Sequence, residues 1–235
     1  MPTSQGADAT IDTSAWARVL AQFVDAEGRV DFAGLNRAPA DLDRYLEGVA
    51  EISPMSHPDR FADTQAVLAY HLNTYNALAM RAILNEDIPE TLGGLTKYWF
   101  FGLKEHPLGG DSMTLHAYEN DIIRKLGDPR VHFALNCMSV GCPRLPRTPF
   151  AAANLEQQLL AETRRFMAET RNVRVDHEER VVWLSEIFDF FPEDFLSVAP
   201  SLLAYVNRYR DEPVPENYDV RFVDYDWTVN RQPAT

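Results

Sequence analysis

The two cysteines of the chain lie close together, in the stretch HFALNCMSVGC at residues 132–142. Cys137 and Cys142 share this stretch with a histidine, His132, and an amide, Asn136. A thiolate, an imidazole base and a group that orients the base are the parts of a cysteine-dependent hydrolase or acyltransferase. We therefore take Cys137 as the candidate nucleophile and Cys142 as the second candidate.

The spacing within this stretch restricts which base can serve the thiol. Side chains as far apart as His132 and Cys137 point to opposite faces of a strand and lie about 140° apart on a helix. They meet only where the backbone bends between them. His71, on a helix predicted to be buried, is the other candidate base, and Asn76 is the candidate orienting amide.

Three other interpretations of the same residues stay open. Cys137 and Cys142 could form a disulfide across the turn at 139–141, which requires an oxidising compartment. With His132 they could hold zinc, but no second motif of paired ligands accompanies them, so we predict no metal. The same polar residues could instead form a structural network in a non-enzymatic ligand-binding or protein-interaction domain.

Composition limits the class of protein. The 235 residues are 46% hydrophobic and 24% charged, which is typical of a folded globular chain. A net charge of −13 argues against nucleic acid and anionic membranes as partners. No apolar run is long enough to span a membrane, and no phosphate-loop or dinucleotide pattern predicts a cofactor. The expected partner is an unknown small molecule or peptide.

The opening MPTSQGADATIDTS lacks the basic and apolar segments of a signal peptide. The protein is expected to be exported or periplasmic if such a peptide was removed, and cytoplasmic otherwise.

Residues 61–86 are predicted to form a helix with apolar side chains around nearly its whole circumference, which indicates burial. Three polar side chains interrupt it, those of His71, Asn73 and Asn76. An amide that is buried without a hydrogen bond costs about 1–3 kcal/mol. These side chains therefore need partners, which are either structural groups or a ligand.

The remaining pattern predicts a helix-rich α+β fold. Predicted helices cover 14–24, 40–52, 116–126, 200–210 and a segment capped by Asn154; predicted extended pieces cover 28–35, 99–115, 173–184 and 220–230. Strands do not alternate regularly with helices, which argues against a doubly wound parallel sheet. We expect a loose tail at 1–12 and one globular domain at 13–235, with a small antiparallel sheet. A likeness to papain or transglutaminase folds is analogy only.

Four blocks of the sequence resemble, in order, the family catalogued as domain of unknown function 547. They are LAYHLNTYNALAMRAIL, TLHAYENDIIR, DPRVHFALNCMSVGCPRL and YDWTVN. The similarity runs from about Trp16 to Asn230. The segment GRVDFAGL is similar to the bacterial form of the family. The resemblance implies no known activity, because the biochemistry of the family is not established.

The polar positions shared with the family fall here on Asn73, Tyr75, Asn76, Glu119, Arg130, His132, Cys137, Pro143, Asp226, Trp227 and Asn230. Among them we take Asn73, Glu119, Arg130 and Asp226, together with His71, as candidate ligand-binding residues. The chain departs from the usual pattern at His71, where Ile or Val is common.

Met138 is a second departure, since a small residue is usual there, and it counts against a tight turn after Cys137. We nevertheless expect one pocket to contain residues of the stretch 132–142 together with the polar side chains of the helix at 61–86. Its members would be Asn73, Asn76, His132, Cys137 and Asp226. A further expectation is that Arg130 and Asp226 pair across the core.

Overall fold

The computed structural model describes residues 11–233, so nearly all of the tail predicted for 1–12 lies outside the described residues. The α-helices are α1 (Ser14–Phe23), α2 (Phe32–Arg37), α3 (Ala40–Glu51), α4 (Thr64–Asn85), α5 (Leu95–Lys97), α6 (Leu115–Ala117), α7 (Leu155–Ala168), α8 (Ile187–Phe190), α9 (Pro192–Leu196) and α10 (Leu202–Asn207). The strands are β1 (Glu105–Leu108), β2 (Asp111–Thr114), β3 (Val173–Asp176), β4 (Val181–Ser185) and β5 (Asp219–Val223). The predicted helix-rich α+β class is confirmed.

Shorter helical turns complete the architecture. Helices α5 and α6 continue as π-helical turns at Tyr98–Leu103 and Tyr118–Ile123. Turns of 3-10 helix occupy Pro58–Arg60, Arg124–Leu126, Pro129–Phe133 and Ala152–Asn154. Among residues 11–233, no helix combines the length and the apolar composition that crossing a bilayer requires.

Helix α4 is the centre of the fold, as its sequence predicts. The Asp63 side chain caps its first turn by accepting a hydrogen bond from the Ala66 amide. Nearly every residue from Leu68 to Leu84 is buried, because α4 is enclosed by its neighbours rather than lying on the surface. The helix therefore holds its polar side chains in the interior.

The sheets differ in one respect from the predicted small antiparallel sheet. Strands β1 and β2 form an antiparallel hairpin whose turn, Gly109–Gly110, has φ of 61° and 87°. Strands β3 and β4 are also antiparallel, but β5 pairs with β4 in parallel. The connection from β4 to β5 contains α8, α9 and α10, and a long connection of this kind allows a parallel pair.

Three predicted extended pieces are only partly extended. Within 28–35, Val30 forms isolated bridges and α2 begins at Phe32, where the Asp31 side chain caps the helix. Within 99–115, the aromatic residues before the hairpin are helical. The piece 220–230 leaves the sheet after Val223 and then passes beside residues 138–141.

Two hydrophobic clusters form the interior. The first surrounds α4 and includes α1, α2 and α3. The second is built from aromatic side chains, among them Phe133, Phe166, Phe188 and Phe195. The 3-10 turn Pro129–Phe133 contributes Val131 to the first cluster and Phe133 to the second. The stretch that contains both cysteines therefore begins just after the 3-10 turn at which the two clusters meet.

Candidate functional site

Residues 136–143, which we call the cysteine turn, are folded by the side chain of Asn136. Asn136 Oδ1 accepts a hydrogen bond from the Met138 amide at 2.7 Å, and Asn136 Nδ2 donates to the Pro143 carbonyl at 2.6 Å. Met138 lies in the left-handed region with φ 70°. The tight turn thus forms although position 138 is not a glycine, and the Asn136 amide holds both of its ends.

The C-terminal segment holds the outer side of this turn. The Val140 amide donates to the Thr228 carbonyl and the Gly141 amide donates to the Asp226 carbonyl, both at 2.8 Å. The Asn230 amide donates to the Met138 carbonyl at 2.9 Å. These backbone bonds fix the turn from a segment far away in the sequence, which rigidifies the two cysteines.

The turn brings the two thiols into contact. Both cysteines are free, and their Sγ atoms are 2.8 Å apart. The Cys137 amide and the Tyr225 hydroxyl each donate to Cys142 Sγ at 3.0 Å. Ser139 Oγ lies 3.4 Å from Cys142 Sγ and 3.0 Å from the Tyr225 hydroxyl. Cys142 is therefore the sulfur toward which the donors of this site converge.

These donors separate the acidities of the two thiols. Burial by itself raises the pKa of Cys142, but hydrogen bonds from Cys137, Ser139 and Tyr225 outweigh it and lower the pKa to about 6. Burial and the adjacent Cys142 sulfur raise the pKa of Cys137 well above its ordinary value. The opposite directions of the two shifts favour a thiolate on Cys142 beside a protonated Cys137.

A histidine and a carboxylate form the second chemical group. His132 Nε2 is 2.7 Å from Asp194 Oδ2, and the imidazole stacks on Phe191 with centroids 4.3 Å apart. Arg124 donates to the same carboxylate through Nε at 2.7 Å. Burial raises the pKa of Asp194, but hydrogen bonds from His132 and Arg124 outweigh it and hold the pKa well below the ordinary value. The ionised carboxylate orients the imidazole.

One cavity of about 390 Å³ joins these groups. His132, Cys137 and Cys142 all line it. No hydrogen bond joins His132 to either thiol within residues 11–233, and Nδ1 of its ring has no partner there. The sulfurs and the imidazole therefore face one space, in which a substrate can lie between them.

Aromatic side chains form much of the apolar part of the cavity wall. Phe101, Phe190, Phe191 and Trp227 contribute to it, and Tyr225 lies on both the cavity wall and the thiol pair. Tyr225 is placed by its amide, which donates to Glu186 Oε2 at 2.7 Å. Such a wall favours apolar parts of a ligand.

Glu119 and Lys97, like Arg124, bring charged side chains to the cavity wall. Glu119 Oε2 accepts a hydrogen bond from the Tyr75 hydroxyl at 3.0 Å. Lys97 Nζ lies over the Trp227 ring at 4.2 Å from its centroid. Of the nine candidate residues from the sequence, the cavity gathers four, namely Cys137, Cys142, His132 and Glu119.

The polar residues of α4 do not line this cavity. Asn73 exchanges two hydrogen bonds with the Phe150 backbone, at 2.8 and 2.9 Å. Asn76 donates to the Ala134 carbonyl and accepts from the Asn136 amide, at 3.0 and 2.7 Å. The partners of these amides are backbone groups. Asn76 therefore positions the start of the cysteine turn, and no hydrogen bond joins it to His132 within residues 11–233.

His71 is also enclosed, with Nδ1 2.7 Å from the Tyr118 hydroxyl. Burial lowers the pKa of His71 to about 4, so the imidazole is neutral near pH 7. It does not line the cavity and cannot reach a substrate there.

Arg130 and Asp226 do not pair, contrary to our expectation. Arg130 binds the carboxylates of Asp128 and Glu156. Asp226 is exposed, and its carboxylate accepts a hydrogen bond from the Thr228 amide at 2.9 Å. Because the C-terminal segment leaves the sheet after β5, it turns Asp226 toward water and Trp227 toward the cavity.

The sequence alone does not identify two groups of the site, Asp194 and Tyr225. Asp194 belongs to the stretch PEDF, whose carboxylates look like solvated surface, and Tyr225 belongs to a stretch that looks like a strand. Nothing in the spacing of either residue indicates the cysteine turn. Within the described part of the chain, no grouping of three or more His, Cys, Asp or Glu side chains could hold a metal ion.

Comparison with known proteins gives one match. Residues 59–167 match the family described as protein of unknown function, DUF547. No curated protein and no solved structure matches the chain. The matched range contains three of the four blocks that resemble this family, and YDWTVN and the opening segment lie outside it, so the likeness to the bacterial form is not borne out. Residues 59–167, which hold α4 and the cysteine turn, are thus similar to the DUF547 family.

Proposed function

We propose that this protein is a cysteine-dependent acyl-transfer enzyme, a hydrolase or an acyltransferase, with the Cys142 thiolate as nucleophile. The observation that carries the proposal is the set of donors around Cys142 Sγ, which lowers its pKa to about 6. A thiolate that exists at neutral pH needs no adjacent base to form it. The lack of a hydrogen bond between the thiols and His132 is therefore compatible with catalysis.

His132 takes the role of general acid and base for the substrate. Asp194 holds the proton of Nε2, which leaves Nδ1 to exchange a proton with a group in the cavity. The thiolate attacks the carbonyl carbon, the bond to the leaving group breaks, and the leaving group takes a proton from His132. Water or another acceptor then gives a proton to His132 and cleaves the thioester, which restores the Cys142 thiolate.

A second candidate function is thiol–disulfide exchange. The 2.8 Å between the two Sγ atoms supports it, because a small movement brings them to the 2.05 Å of a disulfide. The alternative of a non-enzymatic binding domain rests on the aromatic cavity alone. Detection of an acyl group on sulfur distinguishes the first proposal from both.

The test uses soluble activated esters and thioesters with intact-mass analysis. We expect an acyl adduct on Cys142 in the wild type, none in Cys142→Ala, and loss of turnover by about 10²–10⁴-fold in Asp194→Asn, which is the range for acid–base groups. Because deacylation also needs His132, the adduct should accumulate in Asp194→Asn. Glu193→Gln is the matched control, since Glu193 binds Arg124 but not His132.

Absence of a sulfur-bound acyl group with every ester, together with equal hydrolysis by wild type and Cys142→Ala, would refute the proposal. Rapid formation of a Cys137–Cys142 disulfide with a small disulfide reagent, without any acyl adduct, would favour the second candidate.

A further inference from the structure

Residues 95–103, which we call the mouth segment, border the cavity and are apolar on two faces. The segment consists of α5 and the π-helical turn that follows it. On the inner face Phe100 is buried, and the Phe101 ring lies 6.3 Å from the Trp227 ring. The inner face therefore anchors the segment to the cavity wall.

The outer face carries large apolar side chains in water. Leu95, Tyr98, Trp99 and Leu103 are exposed by 81%, 72%, 61% and 60%. Their spacing places them on one side of a helix. These are the largest exposures among the large hydrophobic residues in the described part of the chain. A cluster of large exposed apolar side chains of this kind marks a site of interaction with a protein or a membrane.

The charges around the patch indicate what covers it. From Leu92 to Lys104 the chain has two lysines and no acidic residue, although the whole protein has a net charge of −13. Lys97 forms no ion pair within residues 11–233, and Lys104 binds Glu86. The charge of Lys104 is balanced by Glu86, so Lys97 is the lysine of this segment that can meet a phosphate headgroup.

The residue types of the patch also fit a lipid surface. Adjacent Tyr and Trp side chains have apolar rings with one polar end each, and they concentrate where hydrocarbon meets headgroups. Leu95 and Leu103 would enter the acyl layer beside them, as the apolar face of an interfacial helix does. A second copy of this chain would bring its own net negative charge to the patch, which disfavours self-association.

The patch continues into the cavity. Lys97 and Phe101 belong to both the mouth segment and the cavity lining, and Phe190 and Trp227 extend the apolar wall toward the thiols. A chain that leaves a lipid layer at the patch would pass along these rings to Cys142. We propose that the substrate is an amphiphile with a long acyl chain, taken from a lipid surface on which the mouth segment docks; its acyl-transfer part rests on the proposed function.

The docking test uses phosphatidylcholine vesicles and the whole chain in a flotation assay. We expect the wild type to float with the vesicles and Leu95→Ser/Trp99→Ser to bind at least about tenfold more weakly, because two large exposed side chains lose their burial in lipid. Leu103→Ser gives a second, smaller loss. Met55→Ser/Val220→Ser is the matched control, because these residues are exposed apolar side chains on other elements.

The substrate test compares p-nitrophenyl butyrate with p-nitrophenyl laurate. We expect kcat/KM to be at least about tenfold higher for laurate in the wild type, since each buried methylene adds to binding. We expect Leu95→Ser/Trp99→Ser to keep its activity toward p-nitrophenyl butyrate and to lose activity toward an ester embedded in vesicles. Circular dichroism checks that the variants are folded.

The outcomes separate this inference from the proposed function. Sulfur-dependent hydrolysis of butyrate with no chain-length preference and no flotation would overturn the inference and leave the proposed function in place. Flotation without any sulfur-dependent hydrolysis would overturn the substrate class together with the proposed function. A wild-type dimer that Leu95→Ser/Trp99→Ser converts to monomer, without flotation, would assign the patch to self-association and overturn lipid docking.

Discussion

Replacing Tyr225 by Phe removes one donor from the thiolate and leaves the ring in place. The Tyr225 hydroxyl donates to Cys142 Sγ at 3.0 Å, and Cys142 is only 4% exposed. A hydrogen bond to a charged group contributes about 1.5–3 kcal/mol. Since 1.36 kcal/mol corresponds to one pKa unit, we expect the pKa of Cys142 to rise by about 1–2 units.

The assay is the ultraviolet absorbance of the thiolate as a function of pH, which needs no access of a reagent to Cys142. Alkylation by iodoacetamide with peptide mapping then identifies the sulfur. From a pKa of about 6 we expect about half of Cys142 to be ionised at a pH near 6 in the wild type, and about 1–10% in Tyr225→Phe.

Tyr218→Phe is the matched control, because the Tyr218 hydroxyl bonds His177 on another surface. An unchanged thiolate midpoint in Tyr225→Phe would refute the reasoning that donors, rather than some other feature, set the acidity of Cys142. A midpoint that shifts equally in Tyr218→Phe would refute it as well, since that phenol is not part of the cysteine site.

Two further predictions concern stability. Asn76→Ala leaves two buried backbone groups without a hydrogen-bond partner, and it should lower the free energy of unfolding by about 2–4 kcal/mol in urea titrations. The control is Asn85→Ala on the exposed end of α4, which should change the free energy of unfolding by at most about 0.5 kcal/mol. The lowered pKa of Cys142 means that its thiolate stabilises the fold fully above the unfolded pKa of about 8.5, and that this contribution is lost as the pH falls through about 6. The difference in unfolding free energy between wild type and Cys142→Ala should therefore shrink over that range; a constant difference would contradict the prediction.

The helical core could be read from the sequence because its signal is local. The apolar run of residues 61–86 fixes both the existence and the burial of α4, which the structure places at Thr64–Asn85. The same pattern shows that Asn73 and Asn76 need partners, but backbone carbonyls and ligands satisfy an amide equally well. Only the tertiary structure, which places Phe150 and Ala134 beside them, decides between these two.

The cap of α7 shows a limit of local motifs. The sequence places Asn154 at a helix start with Gln157 in the third position, yet the Asn154 side chain forms no capping hydrogen bond. Gln158 instead accepts from the Ala151 amide and donates to the Pro149 carbonyl. By contrast, Thr114 does cap α6, since its hydroxyl accepts from the Ala117 amide. A side chain of the first turn of α7 therefore holds the segment before the helix, while the α7 amides receive no cap from Asn154.

Only part of the candidate site could be predicted from the sequence. The position of both cysteines and the need for a bend between His132 and Cys137 follow from spacing. The identity of the groups that act on them does not, because Asp194 and Tyr225 come from segments distant in sequence. Met138 at φ 70° shows the same limit, since the turn is held by Asn136 and the C-terminal segment and not by a residue that prefers this conformation.

The thiol charge and the packing of the C-terminal segment must influence each other. Tyr225 stabilises the Cys142 thiolate, and backbone bonds from Val140 and Gly141 tie the same segment to the cysteine turn. Linkage is reciprocal, so a segment that lowers the pKa of Cys142 when docked is itself held more strongly when Cys142 is ionised. Protonation of Cys142 should therefore increase hydrogen exchange at the amides of 140–141 and 228–230 more than at α4. Equal exchange in this segment above and below the thiol midpoint would mean that Tyr225 is fixed by Glu186 and the aromatic wall alone.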